Sequence, residues 1–166
     1  EIVARQFIFR MREFEQMELE FFIKPGDEAE WFNYYQQKII AFLDIIGLDA
    51  TSYRVKEHGP SELAHYASKT IDIEFEFPFG HGELWGLACR TDYDLQAHAQ
   101  HSHQDLTYLD PETNEKYIPY VIEPSVGVER LFLAVLTNAY QIEQLADGES
   151  REVLRLNPLI APVKVA

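Results

Sequence analysis

The stretch TIDIEFEFPFGHGELWGLACR, residues 70–90, decides the fold class. Its two halves, 70–77 and 82–90, are rich in the β-branched, aromatic and apolar residues that strands favour, and PFGHG joins them. Residues 70–90 therefore predict two neighbouring strands. The second strand is apolar around Leu84 and Leu87, but it also contains two charged residues, Glu83 and Arg90.

The segments on either side add helices and further strands. Alternation predicts one long strand over 7–22, and Asp27 with Glu30 has the spacing of a capping box before a helix that should stop at Gly47. Further along we predict strands over 51–56 and 117–125, helices over 61–67, 92–101 and 127–140, a turn around Pro111 and Asn114, and a short polar helix after Gly148. Strands first paired by turns and then interleaved with helices indicate an α+β fold, with an antiparallel sheet and helices on one face.

Composition narrows the class of protein. At 166 residues, with 46% hydrophobic and 13% aromatic residues, the chain can bury a core as one globular domain. A net charge of −14 repels phosphate backbones and anionic membranes, so we expect these residues alone to bind nucleic acid poorly. The single cysteine, Cys89, excludes an internal disulfide framework and fits a reducing compartment. No apolar run approaches membrane-spanning length.

The predicted strand over 7–22 would carry two different faces, because residues two apart point the same way. The apolar face comprises Phe7, Phe9, Met11, Met17, Leu19 and Phe21. The other face comprises Arg10, Arg12, Phe14, Gln16 and Glu18. There the arginines could hold phosphates, Phe14 could stack on a base, and Glu18 could accept hydrogen bonds from an ammonium group. The alternative is a solvated face with charge pairs.

Glu83 interrupts an apolar strand, where a carboxylate costs desolvation free energy unless a cation or metal compensates it. With a phosphate nearby it could hold Mg²⁺, which often needs only one or two protein oxygens. The alternative is a salt bridge to Arg90 or another cation.

Arg130 lies in the first turn of the predicted helix over 127–140, after a strand that Pro124 should break behind Glu123. A cation at a helix N-terminus opposes the helix dipole, which indicates an anion held there by both the arginine and the helix end. The alternative is an exposed arginine paired with Glu129.

The segment HAQHSH places His98, His101 and His103 close together, and three imidazoles could bind zinc. Because the segment is polar and lacks a fourth ligand at a typical spacing, we prefer a solvated histidine-rich surface. We expect His65 to be a packed core histidine and Cys89 a small buried residue.

Together these stretches resemble the catalytic core of glycyl-tRNA synthetases, which are class II aminoacyl-tRNA synthetases of the dimeric bacterial and eukaryotic kind. RQFIFRMREFEQMELEFF (5–22) is similar to motif 2 of that family, and YVIEPSVGVERLFL (120–133) to its motif 3. AHYASKTIDIEFEFPFGHGELWGLACRTDYDL (64–95) resembles the stretch between them. The resemblance extends from Glu1 to about Tyr140 and implies a class II antiparallel sheet flanked by helices.

The resemblance also implies roles for individual residues. ATP contacts are implied at Glu1, Phe9, Arg10, Met11, Arg12, Glu13, Phe14, Glu83, Leu84, Gly127, Val128, Glu129 and Arg130. Glycine contacts are implied at Phe14, Glu15, Gln16, Met17, Glu18, Glu123, Pro124, Ser125, Val126 and Gly127. Arg10, Arg130 and Glu83 would act in catalysis, with Glu83 also contacting Mg²⁺ through ATP. Arg90 would be a further substrate contact.

The implied reaction joins glycine and ATP into glycyl-adenylate and then transfers glycine to the 3′ end of tRNA(Gly). The implied setting is a cytoplasmic homodimer without a membrane role. The arginine expected two residues before Glu1 and the whole of motif 1 lie outside the sequence. We therefore expect 1–147 to be a truncated catalytic core, 148–166 to be a linker to an absent anticodon-binding domain, and the isolated piece to be inactive.

Two other classes of function stay open at this point. One is a non-catalytic, synthetase-like domain that binds a nucleotide or a partner, against which the presence of Glu18, Glu123, Ser125 and Arg130 counts. The other is a zinc hydrolase built on the histidine cluster.

Overall fold

The computed structural model describes residues 3–48 and 50–164. The strands are β1 (Gln16–Glu18), β2 (Phe21–Ile23), β3 (Tyr53–Glu57), β4 (Lys69–Phe77), β5 (Gly80–Thr91), β6 (Tyr108–Leu109), β7 (Lys116–Tyr117), β8 (Tyr120–Gly127), β9 (Tyr140–Gln144) and β10 (Ser150–Leu154). The helices are α1 (Glu28–Ile46), α2 (Tyr93–Ser102) and α3 (Val128–Ala139), and a 3₁₀ helix spans Phe7–Phe9.

Six strands form one sheet in the order β1-β8-β5-β4-β3, and β2 also pairs with β8. Every pairing in this sheet is antiparallel, and the β4–β5 hairpin predicted from residues 70–90 lies within it. Two smaller two-stranded sheets pair β6 with β7 and β9 with β10. The structure thus confirms the predicted α+β class with an antiparallel sheet.

One face of the large sheet carries the core. Alternate residues of β4 are buried, namely Ile71, Ile73, Phe75 and Phe77. The helix α1 buries one stripe, consisting of Phe32, Ile39, Leu43 and Ile46, against the same cluster, and α3 adds Ala134. Burying a side chain such as Phe75 contributes roughly 1.5–3 kcal/mol, so this contact fixes the helices on one face. The opposite face is left to polar residues.

The predicted long strand over 7–22 is wrong. Arg5 and Arg10 pair through backbone hydrogen bonds of 3.0 and 3.2 Å and enclose the 3₁₀ helix, while only β1 and β2 join the sheet. Of the expected apolar face, Phe9 is buried against Phe77 and Phe79, whereas Phe7 is 77% exposed. Met17 and Leu19 are exposed as well. Alternation alone could not distinguish a strand from a looped segment of the same composition.

Two predicted helical features are also wrong. The Asp27 side chain makes no capping hydrogen bond; instead the Glu28 carboxylate accepts one from the Gly26 N–H. Residues 61–67 form turns rather than a helix. Here the Glu62 carboxylate accepts a hydrogen bond from the Gly59 N–H, a local contact that competes with helix formation. The predicted helix stop at Gly47 is confirmed by its φ of 84°.

Pro124 does not end a strand, because β8 runs through it to Gly127. The neighbouring chain is interrupted there instead: β1 and β2 leave Leu19 and Glu20 between them, and the Leu19 N–H donates to the Pro124 carbonyl at 3.1 Å. The predicted polar helix after Gly148 is also wrong, because Ser150–Leu154 forms β10, which pairs with β9 across the predicted boundary at 147.

Candidate active site

The polar face of the large sheet is ordered in rows, because residues opposite each other in antiparallel strands point to the same side. One row consists of Asp72, Gly86, Ser125 and Glu18, from β4, β5, β8 and β1. The next row consists of Thr70, Ala88 and Glu123. Gly86 and Ala88 have the smallest side chains in these rows, so the central strand β5 forms a low floor between taller neighbours.

A cavity of about 330 Å³ opens beside one end of these rows. Its lining comprises Val3, Ile8, Phe9, Arg10, Met11, Phe14, Gln16, Glu83, Leu84, Ser125, Val126, Gly127, Glu129 and Arg130. Segments far apart in sequence thus meet here: the loop before β1, the start of β5 and the β8–α3 junction. We call this space the first cavity.

Most of the ATP and glycine contacts expected from the sequence lie in that lining, but several do not. The expected contacts absent from it are Arg12, Glu13, Met17, Glu18, Glu123 and Val128, and Pro124 is buried in β8 on the core face. Glu15 does not line the cavity either, although its backbone N–H donates to the Glu129 carboxylate at 3.0 Å. Glu1 lies outside the described residues.

Arg130 joins three parts of the first cavity. Its Nε–H donates to the Phe9 carbonyl at 3.2 Å, and one terminal nitrogen donates to the Glu83 carbonyl at 2.8 Å. The guanidinium carbon lies 4.2 Å from the centre of the Phe9 ring, within cation–π range. The alternative of a pair with Glu129 is wrong, because the acidic partner of Arg130 is Glu83, at 3.3 Å.

Glu83 therefore meets a cation, but not Arg90. The Arg90 guanidinium instead donates two hydrogen bonds to Asp94, at 2.7 and 3.2 Å, and one to Glu123, at 2.6 Å. It also lies 4.1 Å from the centre of the Tyr66 ring. The hydrogen bonds that Arg90 donates to Asp94 lower the pKa of the Asp94 carboxyl group.

Three carboxylates gather where β1 ends beside β8. Oxygen atoms of Glu18, Glu20 and Glu123 all lie within 4.8 Å of one another. Burial, and then the charge of Glu123, raise the pKa of Glu20, while Arg90 opposes them. The structure thus brings together Glu18 and Glu123, two of the expected glycine contacts, although Glu18 does not line the first cavity. Glu20 was missed, although its even position on the Glu18 face was a usable signal.

A second cavity of about 230 Å³ borders the first and shares Glu83 and Ser125 with it. Its lining comprises His58, Glu62, Ala64, Tyr66, Thr70, Asp72, Glu83, Gly86, Ala88, Glu123 and Ser125. His58 Nε2 lies 2.7 Å from an Asp72 oxygen, and this hydrogen bond raises the pKa of His58. The sequence carried no signal for this pair, because its members lie 14 positions apart on different elements.

His98 and His101 lie in α2, and His103 follows directly after this helix. In the parts of the chain that the structure describes, the group of three potential ligands close enough to share an ion is the Glu18, Glu20 and Glu123 set. His65 is exposed, contrary to expectation, with its ring against Tyr66 and Tyr93. Cys89 is buried as expected. None of the helices described between residues 3 and 164 combines the length and apolarity needed to cross a bilayer.

The chain is similar to known proteins over its whole length. A glycine--tRNA ligase of Caldanaerobacter subterraneus subsp. tengcongensis is 60% identical over 166 residues, one of Clostridium tetani 58% and one of Bacillus cereus 54%. Each alignment covers 100% of this chain and 36% of the relative. No family model matches the chain.

These relatives are aminoacyl-tRNA synthetases, a class of ligase with which the α+β sheet and its polar cleft agree. The chain belongs to the glycine--tRNA ligase family. It spans 36% of the length of these relatives, so it corresponds to one segment of such a ligase.

Proposed function

We propose that the full-length ligase carrying this segment activates glycine with ATP and transfers it to tRNA(Gly), and that the two cavities hold the reacting groups. The observation that carries the proposal is the cluster of Glu18, Glu20 and Glu123 carboxylates at the second cavity, which Glu123 lines. This second cavity shares Glu83 and Ser125 with the first cavity, which arginines line. Carboxylates favour an ammonium group and arginines favour phosphates, so the charges suit an amino acid next to a nucleotide.

The first cavity fits the nucleotide. Its volume of about 330 Å³ lies at the lower end of the ~300–1,000 Å³ typical of ligand pockets. Arg10 and Arg130 supply positive charge, and the N-terminus of the 12-residue helix α3 lies beside Gly127. The first N–H of this helix, that of Val128, already donates to the Glu15 carbonyl at 2.9 Å. Phe14, which is 55% exposed, offers a flat face for adenine. Once phosphates are present, the Glu83 carboxylate would be the protein ligand of Mg²⁺.

The carboxylate cluster fits the glycine ammonium. Glu18 would accept hydrogen bonds from it, and Glu123 would do so through the oxygen that Arg90 does not occupy. Ser125 lies opposite Glu18 in the sheet and would contact the same substrate. Side chains larger than that of glycine would meet this row of acids and be rejected by desolvation and clash.

The chemistry that follows is catalysis by position and charge. An oxygen of the glycine carboxylate attacks the α-phosphorus of ATP in line, the bond to the β-phosphate oxygen breaks, and pyrophosphate leaves. The nucleophile is already ionised, so no general base is needed, and the arginines stabilise charge in the transition state. The reaction would thus depend mainly on Arg10, Arg130 and Glu83.

The remaining partners follow from the family rather than from this segment. We infer that tRNA(Gly) binds mostly through other parts of the ligase, because this segment has a net charge of −14. A homodimeric, cytoplasmic enzyme and an inactive isolated segment belong to the same proposal. The competing function is a synthetase-like domain that binds a nucleotide without activating an amino acid.

Isotope exchange between pyrophosphate and ATP separates the two functions. We expect the full-length ligase to exchange label when glycine is present, and not when glycine is omitted or replaced by alanine. ATP binding without glycine-dependent exchange would favour the competing function. Exchange with alanine at the glycine rate would contradict the assignment of the carboxylate cluster as a glycine-selective site.

A further inference from the structure

The second cavity has two unlike walls facing each other across β5. On the β8 side stand Glu123 and Ser125, and on the β4 side stands Asp72 with His58. Neighbouring strands lie about 4.8 Å apart, so the backbones of β4 and β8 are separated by about 10 Å. Gly86 has no side chain, so the floor between the two walls stays open. A Cβ at this position would lie only 3.3 Å from the Ser125 hydroxyl.

The Asp72 wall is held in place by several contacts. His58 Nε2 lies 2.7 Å from Asp72 Oδ2, and the His58 backbone N–H donates to the Thr70 carbonyl at 3.0 Å. The loop that follows is closed by the Glu62 carboxylate, which accepts hydrogen bonds from the Gly59 N–H and from Lys56. The side chains of His58 and Asp72 are 20% and 16% exposed, so the pair is fixed yet open to the cavity.

The charge of this wall differs from that of the opposite one. Asp72 is paired with an imidazole whose pKa is raised, so the pair is close to neutral when His58 is protonated. Across the floor there are three carboxylates, and Arg90 is the cation that pairs with one of them, Glu123. A neutral group that donates hydrogen bonds, such as a sugar hydroxyl, therefore suits the Asp72 wall, while a cation suits the other.

We propose that Asp72, positioned by His58, binds a hydroxyl of the terminal ribose of the acceptor tRNA. The inference rests on the proposed function. With the ammonium of the glycyl group at Glu18 and Glu123, its carbonyl carbon lies over the Gly86–Ala88 floor. A hydroxyl that attacks this carbon must approach within about 3–3.5 Å, and the facing wall is the one that carries Asp72.

The transfer step balances without a further reactant. The ribose hydroxyl oxygen bonds to the glycyl carbonyl carbon, and the bond from that carbon to the phosphate oxygen of the adenylate breaks. AMP leaves with the electron pair, and the hydroxyl proton passes to its phosphate. Asp72 accepts a hydrogen bond from the neighbouring hydroxyl of the same ribose and so orients the attacking hydroxyl, and His58 is a positioning residue that acts through Asp72.

The test compares two reactions of the same full-length ligase. One is glycine-dependent exchange, which needs no tRNA, and the other is single-turnover transfer of glycine from preformed glycyl-adenylate to tRNA. For Asp72→Asn we expect the transfer rate to fall at least about tenfold more than the exchange rate, because one hydrogen bond to a charged group is lost. Glu74→Gln is the matched control, since Glu74 lies on β4 as Asp72 does, pairs with Arg54 of β3 and lines neither cavity.

His58 has its own readout. His58→Gln keeps an N–H donor for Asp72 and should retain more of the transfer rate than His58→Ala, which should behave like Asp72→Asn. Equal losses for the two His58 variants would reduce His58 to a structural role and overturn its positioning function.

Three results overturn the assignment of Asp72. Equal loss of exchange and transfer in Asp72→Asn would show a general disturbance of the site. A rise in the KM for ATP during exchange would assign the cavity to the ribose of ATP instead. Transfer at the unaltered rate would show that no hydroxyl binds there. Absence of exchange in the unaltered ligase, by contrast, is the result that refutes the proposed function itself.

Discussion

Arg90 and Glu123, which lie 33 positions apart, meet at 2.6 Å on the polar face of the sheet, and their side chains are only 20% and 11% exposed. Arg90 is in turn held by Asp94 from the first turn of α2. Arg90, the expected substrate contact, is thus already engaged with two carboxylates. We propose that it compensates the negative charge of the acids around the proposed ammonium site.

Loss of Arg90 should therefore destabilise the protein. Arg90→Ala leaves Glu123 beside Glu18 and Glu20 without its cation, and breaking a largely buried pair costs about 3–5 kcal/mol, reduced here by partial exposure to about 2–4 kcal/mol. Thermal melting of the full-length ligase measures this loss. Arg54→Ala, whose arginine side chain is 60% exposed in its pair with Glu74, is the control and should shift the melting temperature little. Equal shifts would contradict the compensating role.

Arg130 and Arg12 should differ in both function and stability. Arg130 contacts Phe9 and Glu83 in the first cavity, so Arg130→Ala should weaken ATP use by about 2–4 kcal/mol and also lower the melting temperature. Arg12 is exposed and lines neither cavity, so Arg12→Ala should leave the melting temperature almost unchanged. ATP titrations and melting curves of both variants measure this, and unaltered ATP use in Arg130→Ala would make that arginine purely structural.

Glu18 should affect glycine more than ATP. Glu18→Gln removes a charged acceptor from the proposed ammonium site, a hydrogen bond worth about 1.5–3 kcal/mol, so the KM for glycine should rise by roughly 10- to 150-fold. The KM for ATP should change little. Exchange kinetics with each substrate varied in turn measure both KM values. A rise in the KM for ATP alone would contradict the assignment of Glu18 to the glycine site.

The His58–Asp72 pair should make stability depend on pH. Its hydrogen bond raises the folded-state pKa of His58 above the unfolded value of about 6.5. The stabilisation is therefore fully present below about pH 6.5 and is lost as the pH rises through the folded-state pKa. The gap in melting temperature between the unaltered ligase and Asp72→Asn should thus shrink from about pH 6 to about pH 9. A constant gap over that range would show that His58 does not titrate against Asp72.

The sequence by itself determined the elements that have strong local signals. The strands on both sides of PFGHG, the helix that stops at Gly47, and the helix that carries Arg130 depend on side-chain pattern and on glycine conformation, which act over a few residues. The motif resemblance assigned Arg10, Phe14, Glu83 and Arg130 to one expected site, and all four line the first cavity.

Only the tertiary structure decided the rest, because register and loop closure depend on partners that are distant in sequence. The backbone bridge between Arg5 and Arg10 closes a loop within the segment predicted to be one strand. The Leu19 N–H donates to the Pro124 carbonyl, and β8 continues past this proline. The strand registers of β4, β5 and β8 likewise place Asp72 and Ser125 on either side of Gly86, which has no side chain to separate them. The choice of partners for Arg90, Glu83 and His58 followed from those registers, since a charged side chain pairs with whatever acid the folded sheet brings within reach.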